Sequence, residues 1–412
     1  MERVVITGMG LISPLGNTIE QFWDRLVSGE SGISPITSFD TSNFKTKIAG
    51  IVHDFDAEGR FGRKEARRMD RFSQFALAAA EDAWTHSGLQ LDKIDKERLG
   101  VYVGSGVGGI QTLMEQGSVL KGRGPDRVSP TLIPMMISNM AAAMISIKLG
   151  AMGPTMSPVT ACSIGNTAIG EAFRLIRYGG ADIVIAGGSE AAITEISLAS
   201  FGNATSLSTR NEEPVKASRP FDGERDGFVI GEGGGIVILE SLSHAKRRNA
   251  KIHGEVIGYG ASSDAYHMVA THPEGIGAYQ AMKLALNEAN LQPEEVDVIS
   301  AHATSTVVGD RSETFAIKKL FGDQAYQIPV TANKSMTGHA LGAAGGLEAI
   351  ALIKSIQEGI IPPTINQEVK DSICDLDYVP NMARKTDLTI GMSNSFGFGG
   401  HNAVIVIRKF ED

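Results

Sequence analysis

Short, unbroken runs of aliphatic residues recur along this chain, and between them lie longer segments whose apolar residues fall three and four apart. The runs occupy residues 3–7, 100–104, 183–187, 235–240, 296–301 and 403–408. A strand that is apolar at nearly every position needs both faces covered, as in a sheet flanked by helices. Helical patterns cover residues 71–87, 133–149, 163–178, 277–290, 312–321 and 345–358. This alternation predicts a layered α/β architecture. No Pro/Ser-rich linker or low-complexity run divides it, although 412 residues would suffice for two or three domains.

A weak internal echo suggests why no linker is needed. Gly231-Glu232-Gly233-Gly234-Gly235 leads into Ile236-Val237-Ile238-Leu239, and near the other end Gly397-Phe398-Gly399-Gly400 leads into Ala403-Val404-Ile405-Val406-Ile407. Two similar halves meeting near residue 250 would produce this pattern. The short-period repeats of solenoids are absent.

Composition narrows the function. The chain carries 38 Lys and Arg against 47 Asp and Glu, a formal charge of −9. That argues against a general nucleic-acid binder while leaving room for a local basic patch. Its 48 glycines point to tight turns or close backbone approaches. The two cysteines, Cys162 and Cys374, lie too far apart in sequence for a metal-binding spacing and do not suggest a disulfide scaffold, so a reducing compartment is expected. Val4-Val5-Ile6 starts a strand pattern with no charged region and apolar stretch before it, so no signal peptide is expected. The most apolar later stretch, residues 135–149, includes Ser138, Asn139, Ser146 and Lys148 and is too short and polar to span a bilayer. These features read as a soluble, cytoplasmic protein.

Four segments carry chemistry-bearing residues. Thr160-Ala161-Cys162-Ser163-Ile164-Gly165 stands where a helix begins, with Ile164, Ala168, Ala172 and Ile176 at four-residue spacing. Cys162 at a helix N-terminus would have its thiolate favoured by unpaired N–H groups and the helix dipole, or would be a small buried residue. Cys374 lies among the acids of residues 371–377, a poor setting for a nucleophile. His302-Ala303-Thr304-Ser305-Thr306 follows the strand pattern ending at Ser300, a common place for chemistry in α/β proteins. Residues 333–346 combine Lys334 and His339 with small and hydroxyl residues ahead of a helix carrying Glu348. Asn394-Ser395-Phe396-Gly397-Phe398-Gly399-Gly400-His401-Asn402 does not match a dinucleotide fingerprint. It is either an open loop whose N–H groups could hold an oxyanion or a tight turn between strands.

In order and spacing these segments resemble the β-ketoacyl-acyl carrier protein synthases, closest to synthase II. The T-A-C segment, the H-x-T-S-T segment 140 residues later, K-S-M-T-G-H and the N-S-F-G-F-G-G-H-N ending all fit. So do Ser218-Arg219-Pro220-Phe221-Asp222, Arg225-Asp226-Gly227-Phe228 and Asp264-Ala265-Tyr266-His267, and the resemblance covers essentially the whole chain. It implies a thiolase fold, two duplicated α/β halves in a five-layered αβαβα arrangement. Residues 1–250 would carry the nucleophilic Cys, and residues 251–412 the two His and the Gly-rich loop.

The resemblance also implies a decarboxylative condensation. Cys162 would take the acyl chain from an acyl carrier protein, and His302 and His339 would hydrogen-bond the thioester oxygen of a malonyl unit as CO₂ leaves. The N–H groups of Cys162 and Phe398 would hold the oxyanion formed when the carbanion attacks. Lys334 would orient and polarise the histidine site, with Glu348 as its partner. A Cys-His-His set resembles this class rather than the Cys-His-Asn plant-type polyketide synthases. Thr304 and Thr306 would bond the phosphopantetheine arm, Phe396 would line the substrate site, and Val107 would gate the acyl pocket where synthase II enzymes usually carry Ile. No metal or resident cofactor is implied, the substrates riding on the carrier's phosphopantetheine.

Basic residues Arg63, Lys64, Arg67, Arg68 and Arg71, with Lys121, Arg123 and Arg127, would dock the acidic carrier protein by charge complementarity. A homodimer is expected. Helix-spaced Met136, Met140 and Met144 read as core, pocket lining or dimer surface. Departures from the family pattern at Ala303, Asn333, Ala340, Thr205 and Asp126 suggest a divergent paralogue serving a dedicated pathway. The rival readings are a malonyl-carrier protein decarboxylase and a non-catalytic chain-length partner in a heterodimer. Both tend to lack the cysteine that this chain keeps.

Overall fold

Ten strands form one sheet, and their order repeats. The computed structural model describes residues 1–411. In chain order the strands are β1 (Val4–Ile12), β2 (Leu99–Gly104), β3 (Thr155–Met156), β4 (Ile183–Glu190), β5 (Gly233–Ser241), β6 (Gly254–Ser263), β7 (Val298–Ser300), β8 (Val330–Thr331), β9 (Ile390–Gly397) and β10 (His401–Arg408). Spatially they run β3-β2-β4-β5-β1-β6-β10-β9-β7-β8. Reading outward from the middle gives β1-β5-β4-β2-β3 one way and β6-β10-β9-β7-β8 the other, so each strand of the first half has its counterpart five labels later. Directions repeat as well. The first two pairings in each half are antiparallel and the outer two parallel. The glycine-led strands of the sequence echo, β5 and β10, occupy equivalent positions.

Six helices complete the repeat: α1 (Arg71–Ser87), α2 (Met140–Leu149), α3 (Ile164–Arg177), α4 (Ile276–Ala289), α5 (Val307–Phe321) and α6 (Ala344–Glu358). α1 and α2 cover the outer face of the first half-sheet, α4 and α5 that of the second, while α3 and α6 pack between the two. The result is the five-layered thiolase fold. The half-sheets touch edge to edge only through Val4–Val256, Val5–Glu255 and Ile6–Gly254. The central layer holds the halves together, with Ile169, Phe173 and Ile176 of α3 and Leu347, Ile350 and Ile353 of α6 sharing one core with Leu239 and Ile405. Among the described residues no helix is long and apolar enough to cross a membrane.

One helix departs from its sequence pattern. The apolar spacing over residues 133–149 predicts a single helix, but the chain breaks after Leu132–Met136 and resumes as α2. Gly109 N–H donates to the Met136 carbonyl at 2.8 Å, and Met140 N–H turns to Ile137 O at 3.1 Å. A glycine-rich loop thus takes the carbonyl that would have continued the helix. Met140 and Met144 then pack against the core of the first half, whereas Met136 lies on the preceding turn.

α3 and α6 approach closely at their first turns because glycines face each other there. A Cβ built on Gly165 would lie 2.5 Å from Gly346 N, and one on Gly346 would lie 2.1 Å from Gly235 O. Both obstacles are backbone, which cannot rotate away. Gly346→Ala is therefore expected to cost about 3 kcal/mol, the upper end of overpacking penalties, or more. Gly202→Ala, whose Cβ would meet nothing within 4 Å, should be neutral or slightly stabilising. Thermal unfolding of the two variants tests this, and equal midpoints would show that the helix contact has slack.

Candidate active site

The first turns of α3 and α6 are equivalent, and the site is built around them. Ala161–Ser163 forms a single 3₁₀ turn ahead of α3, and Leu341–Ala343 forms its counterpart ahead of α6. Ala161 (φ +50°) and Leu341 (φ +47°) both take the left-handed backbone that side chains disfavour. Such strain recurs where backbone placement matters. The duplicate of Cys162 is Gly342, so only one half carries the thiol.

Cys162 is 8% exposed and lines a cavity of about 610 Å³. His302, His339, Thr304, Thr306, Phe396, Phe398 and Val107 line the same cavity. Residues 55 to more than 230 positions from Cys162 in sequence thus converge on it. His302 stands two residues beyond β7, and its N–H donates to Glu313 Oε1 at 2.9 Å. Ala303 N–H donates to Glu313 Oε2 at 2.7 Å, and Asn394 Nδ2 reaches Oε1 at 3.0 Å. Glu313, buried on α5, therefore fixes the His302 loop, in which Ala303 (φ +29°) and Ser305 (φ +73°) are also left-handed. The sequence reading missed Glu313. Its signal was an acid at a core-facing position, beside the equally buried Asp310 and Ser312.

His339 is held across the halves, its N–H donating to Val229 O at 2.7 Å and its carbonyl accepting from Gly231 N–H at 2.8 Å. The rings of His302 and His339 stand edge to face at 5.4 Å, with Phe396 5.6 Å from His302 and Phe228 5.5 Å from His339. The Nδ1 atom of each histidine is buried without a partner. A bare ring nitrogen tolerates this better than a buried N–H would, so each ring carries its proton on Nε2. Burial pushes both imidazoles well below their ordinary pKa, and the Lys334 charge pushes the same way. At neutral pH they are uncharged N–H donors.

Lys334 sits in a buried helical turn (Lys334–Thr337) and pairs with Glu348 of α6. Burial raises the Glu348 carboxyl to about 7, while the ammonium opposes that rise. Lys334 does not line the cavity and acts on it through charge.

The thiol differs from expectation. The helix N-terminus was expected to favour a thiolate, but burial lifts Cys162 to about 12. Lys334 and the N–H groups of Phe398 and Cys162 pull the other way without overcoming it. Desolvation outweighs the dipole because the turn lies inside the core. Cys374 is also raised, to about 11, chiefly by burial, with Asp310 and Asp371 adding to it and Arg225 opposing.

The Asn394–Asn402 segment is a hairpin. β9 pairs with β10 as far as Gly397–His401, and Phe398–Gly400 forms the turn, with Gly399 (φ +80°) and Gly400 (φ +75°) left-handed. The turn thus presents the Phe398 N–H toward Cys162. Thr304 and Thr306 bring their hydroxyls within 3.1 Å of each other at the cavity wall. Arg63, Lys64, Arg67 and Arg68 lie elsewhere, around a shallow surface depression, and Arg127 is exposed in the turn Pro125–Arg127. Arg67 and Arg68 have only long, exposed contacts of 3.5 Å to Glu58 and Glu65.

The sequence matches the family model described as Beta-ketoacyl synthase, N-terminal domain, over residues 1–245, and the corresponding C-terminal domain over residues 253–368. It is 50% identical over 410 residues to 3-oxoacyl-[acyl-carrier-protein] synthase 2 of Synechocystis sp., covering 100% of this chain and 99% of that relative. The synthase 2 of Coxiella burnetii is 49% identical with the same coverage. Among solved structures, a beta-ketoacyl synthase from Burkholderia phymatum is 35% identical, with a TM-score of 0.93 and full coverage of both chains. A type II polyketide synthase acyl carrier protein in complex with its ketosynthase bound to the hexaketide gives 36% identity and a TM-score of 0.92, over 99% of this chain and 100% of that one.

Proposed function

The chain belongs to the β-ketoacyl synthase family and is a carbon–carbon bond-forming β-ketoacyl-acyl carrier protein synthase, and we propose that its cavity divides the condensation between a thiol from one half and two neutral imidazoles from the other. The observation that carries this is the joint lining of one cavity by Cys162, His302 and His339. Cys162 attacks the carrier-bound thioester, its proton passes to the departing phosphopantetheine sulfur, and the acyl group stays on Cys162 as a thioester. The Nε2–H groups of His302 and His339 stabilise the enolate that forms as malonyl loses CO₂, which neutral donors in a dry site do well. The carbanion attacks the acyl carbonyl, the N–H groups of Cys162 and Phe398 take the oxyanion, and its collapse breaks the bond to the Cys162 sulfur, leaving the β-ketoacyl chain on the carrier. Lys334, neutralised in part by Glu348, holds the field around both steps. The substrates arrive on the phosphopantetheine arm of acyl carrier protein, contacted by Thr304 and Thr306, and no resident cofactor takes part.

The carrier docks on Lys64, Arg67 and Arg68, where weakly paired cations surround a depression, with Arg127 on a second patch. The edge strand β3 is exposed, as are Met152, Met156 and Val159 around it. An unpaired apolar edge of this kind calls for a cover, and a second copy of the chain in a homodimer supplies it. The two free thiols suit a reducing cytoplasm.

Three outcomes test this reading. Cys162→Ala should abolish condensation yet keep malonyl decarboxylation, whereas His339→Ala should still accept an acyl group but decarboxylate about 10²- to 10³-fold more slowly. A normal decarboxylation rate in His339→Ala would remove that histidine from the chemistry. Reversing Lys64 and Arg67 to Glu should raise KM for carrier-bound substrate, less so at high salt, and leave a small thioester analogue unaffected. Equal effects on both substrates would make the cluster a solvated face. Val107→Phe should slow acylation by medium and long primers far more than by short ones, because overpacking at a gate penalises whatever must pass it. A uniform drop for every primer would refute the gate.

A further inference from the structure

Glu190 ends β4 with no accessible surface, lines the cavity, and has no Lys, Arg or His within ion-pair distance among the described residues. A buried carboxylate without a counter-ion is costly unless hydrogen bonds replace water around it. Here four donors do so. Oε1 accepts from the Ser105 hydroxyl at 2.6 Å and from Val107 N–H at 3.2 Å. Oε2 accepts from Gly106 N–H at 2.9 Å and from Gly342 N–H at 3.1 Å. Ser105 Oγ accepts in turn from Gly108 N–H at 3.0 Å, which directs its own proton at the carboxylate.

The surroundings are shaped for this group. A Cβ on Gly342 would lie 2.9 Å from Glu190 Oε2, and one on Gly106 would lie 3.0 Å from it. A side chain at either of these two donors would therefore press on the Glu190 carboxylate. One oxygen spans the halves, joining Gly106 of the first to Gly342 of the second, and Gly342 is the structural duplicate of Cys162. Val107 sits at the apex of the loop so tied and is 38% exposed toward the open cavity. The Glu190 charge also reaches the nucleophile, opposing the Cys162 thiolate.

We propose that Glu190 is a specificity-determining positioning residue, whose carboxylate ties the residue 105–108 loop to Gly342 and so fixes the distance of Val107 from Cys162. The inference rests on reading Val107 as the acyl gate. With the tie loosened, the loop recedes more easily before a long chain, and discrimination between primer lengths falls.

The test is the rate of Cys162 acylation by short- and long-chain acyl-carrier proteins, expressed as a long-to-short ratio within each variant. A ratio cancels any loss of folded enzyme, which a merely structural role would produce. Glu190→Gln places an amide N–H₂ against backbone donors and should raise the ratio roughly three- to tenfold. Ser105→Ala, which removes one of the four bonds to the carboxylate and the Gly108 N–H bond to the same hydroxyl but keeps the carboxylate itself, should raise it by a smaller factor. Val107→Phe should lower the ratio. If Val107→Phe lowers it while Glu190→Gln and Ser105→Ala leave it at the wild-type value, the gate stands and the role of Glu190 is refuted. If Val107→Phe leaves the ratio unchanged, the gate reading fails and this inference falls with it.

Discussion

Everything in this molecule depends on two helices meeting where neither has a side chain. Gly165 of α3 and Gly346 of α6 bring the helix starts into backbone contact, so two half-sheets that share only a three-residue edge close over one core. The turns ahead of these helices are brought together by the same contact. One carries Cys162, and the other follows directly on His339. A larger residue at either glycine would separate Cys162 from His339 as well as the halves. Stability and the geometry of the cavity therefore draw on the same close approach, and the chain needs no linker because the two halves share one central core.

Burial then sets the chemistry. It neutralises the histidines, raises the thiol to about 12 and lifts Glu348 to about 7. Such a site is quiet at rest, since neither a free thiolate nor an imidazolium is populated. Lys334 is the counterweight. Its charge, placed behind the lining, favours the thiolate and disfavours protonated histidine together, which suits a reaction that needs a nucleophile and neutral donors in turn.

Much of this was legible in the residues. The fully apolar strands and the α3 spacing gave the layered fold, and the motif order brought together the residues that line the cavity. The failures share a cause, which is that long-range contacts override local patterns. β3 and β8 are two residues long and exist only by pairing with their neighbours. β9 hides because Ser393, Asn394 and Ser395, although fully buried, are polar and break the apolar run that would mark a strand. The helix over residues 133–149 breaks because Gly109, distant in sequence, claims the Met136 carbonyl. The dipole argument for Cys162 was sound locally and lost to desolvation, which no sequence window displays. Glu313 and Glu190 escaped notice for the same reason, since their partners lie on other strands and loops.

The central claim is that one thiol, Cys162, carries the acyl chain. Incubation with an acyl-carrier protein followed by proteolysis and tandem mass spectrometry measures this directly, because the chain has only two cysteines. The account predicts an adduct of the acyl mass on the peptide containing Cys162 and none on that containing Cys374. An adduct on Cys374, or condensation proceeding with Cys162 unmodified throughout, would contradict it.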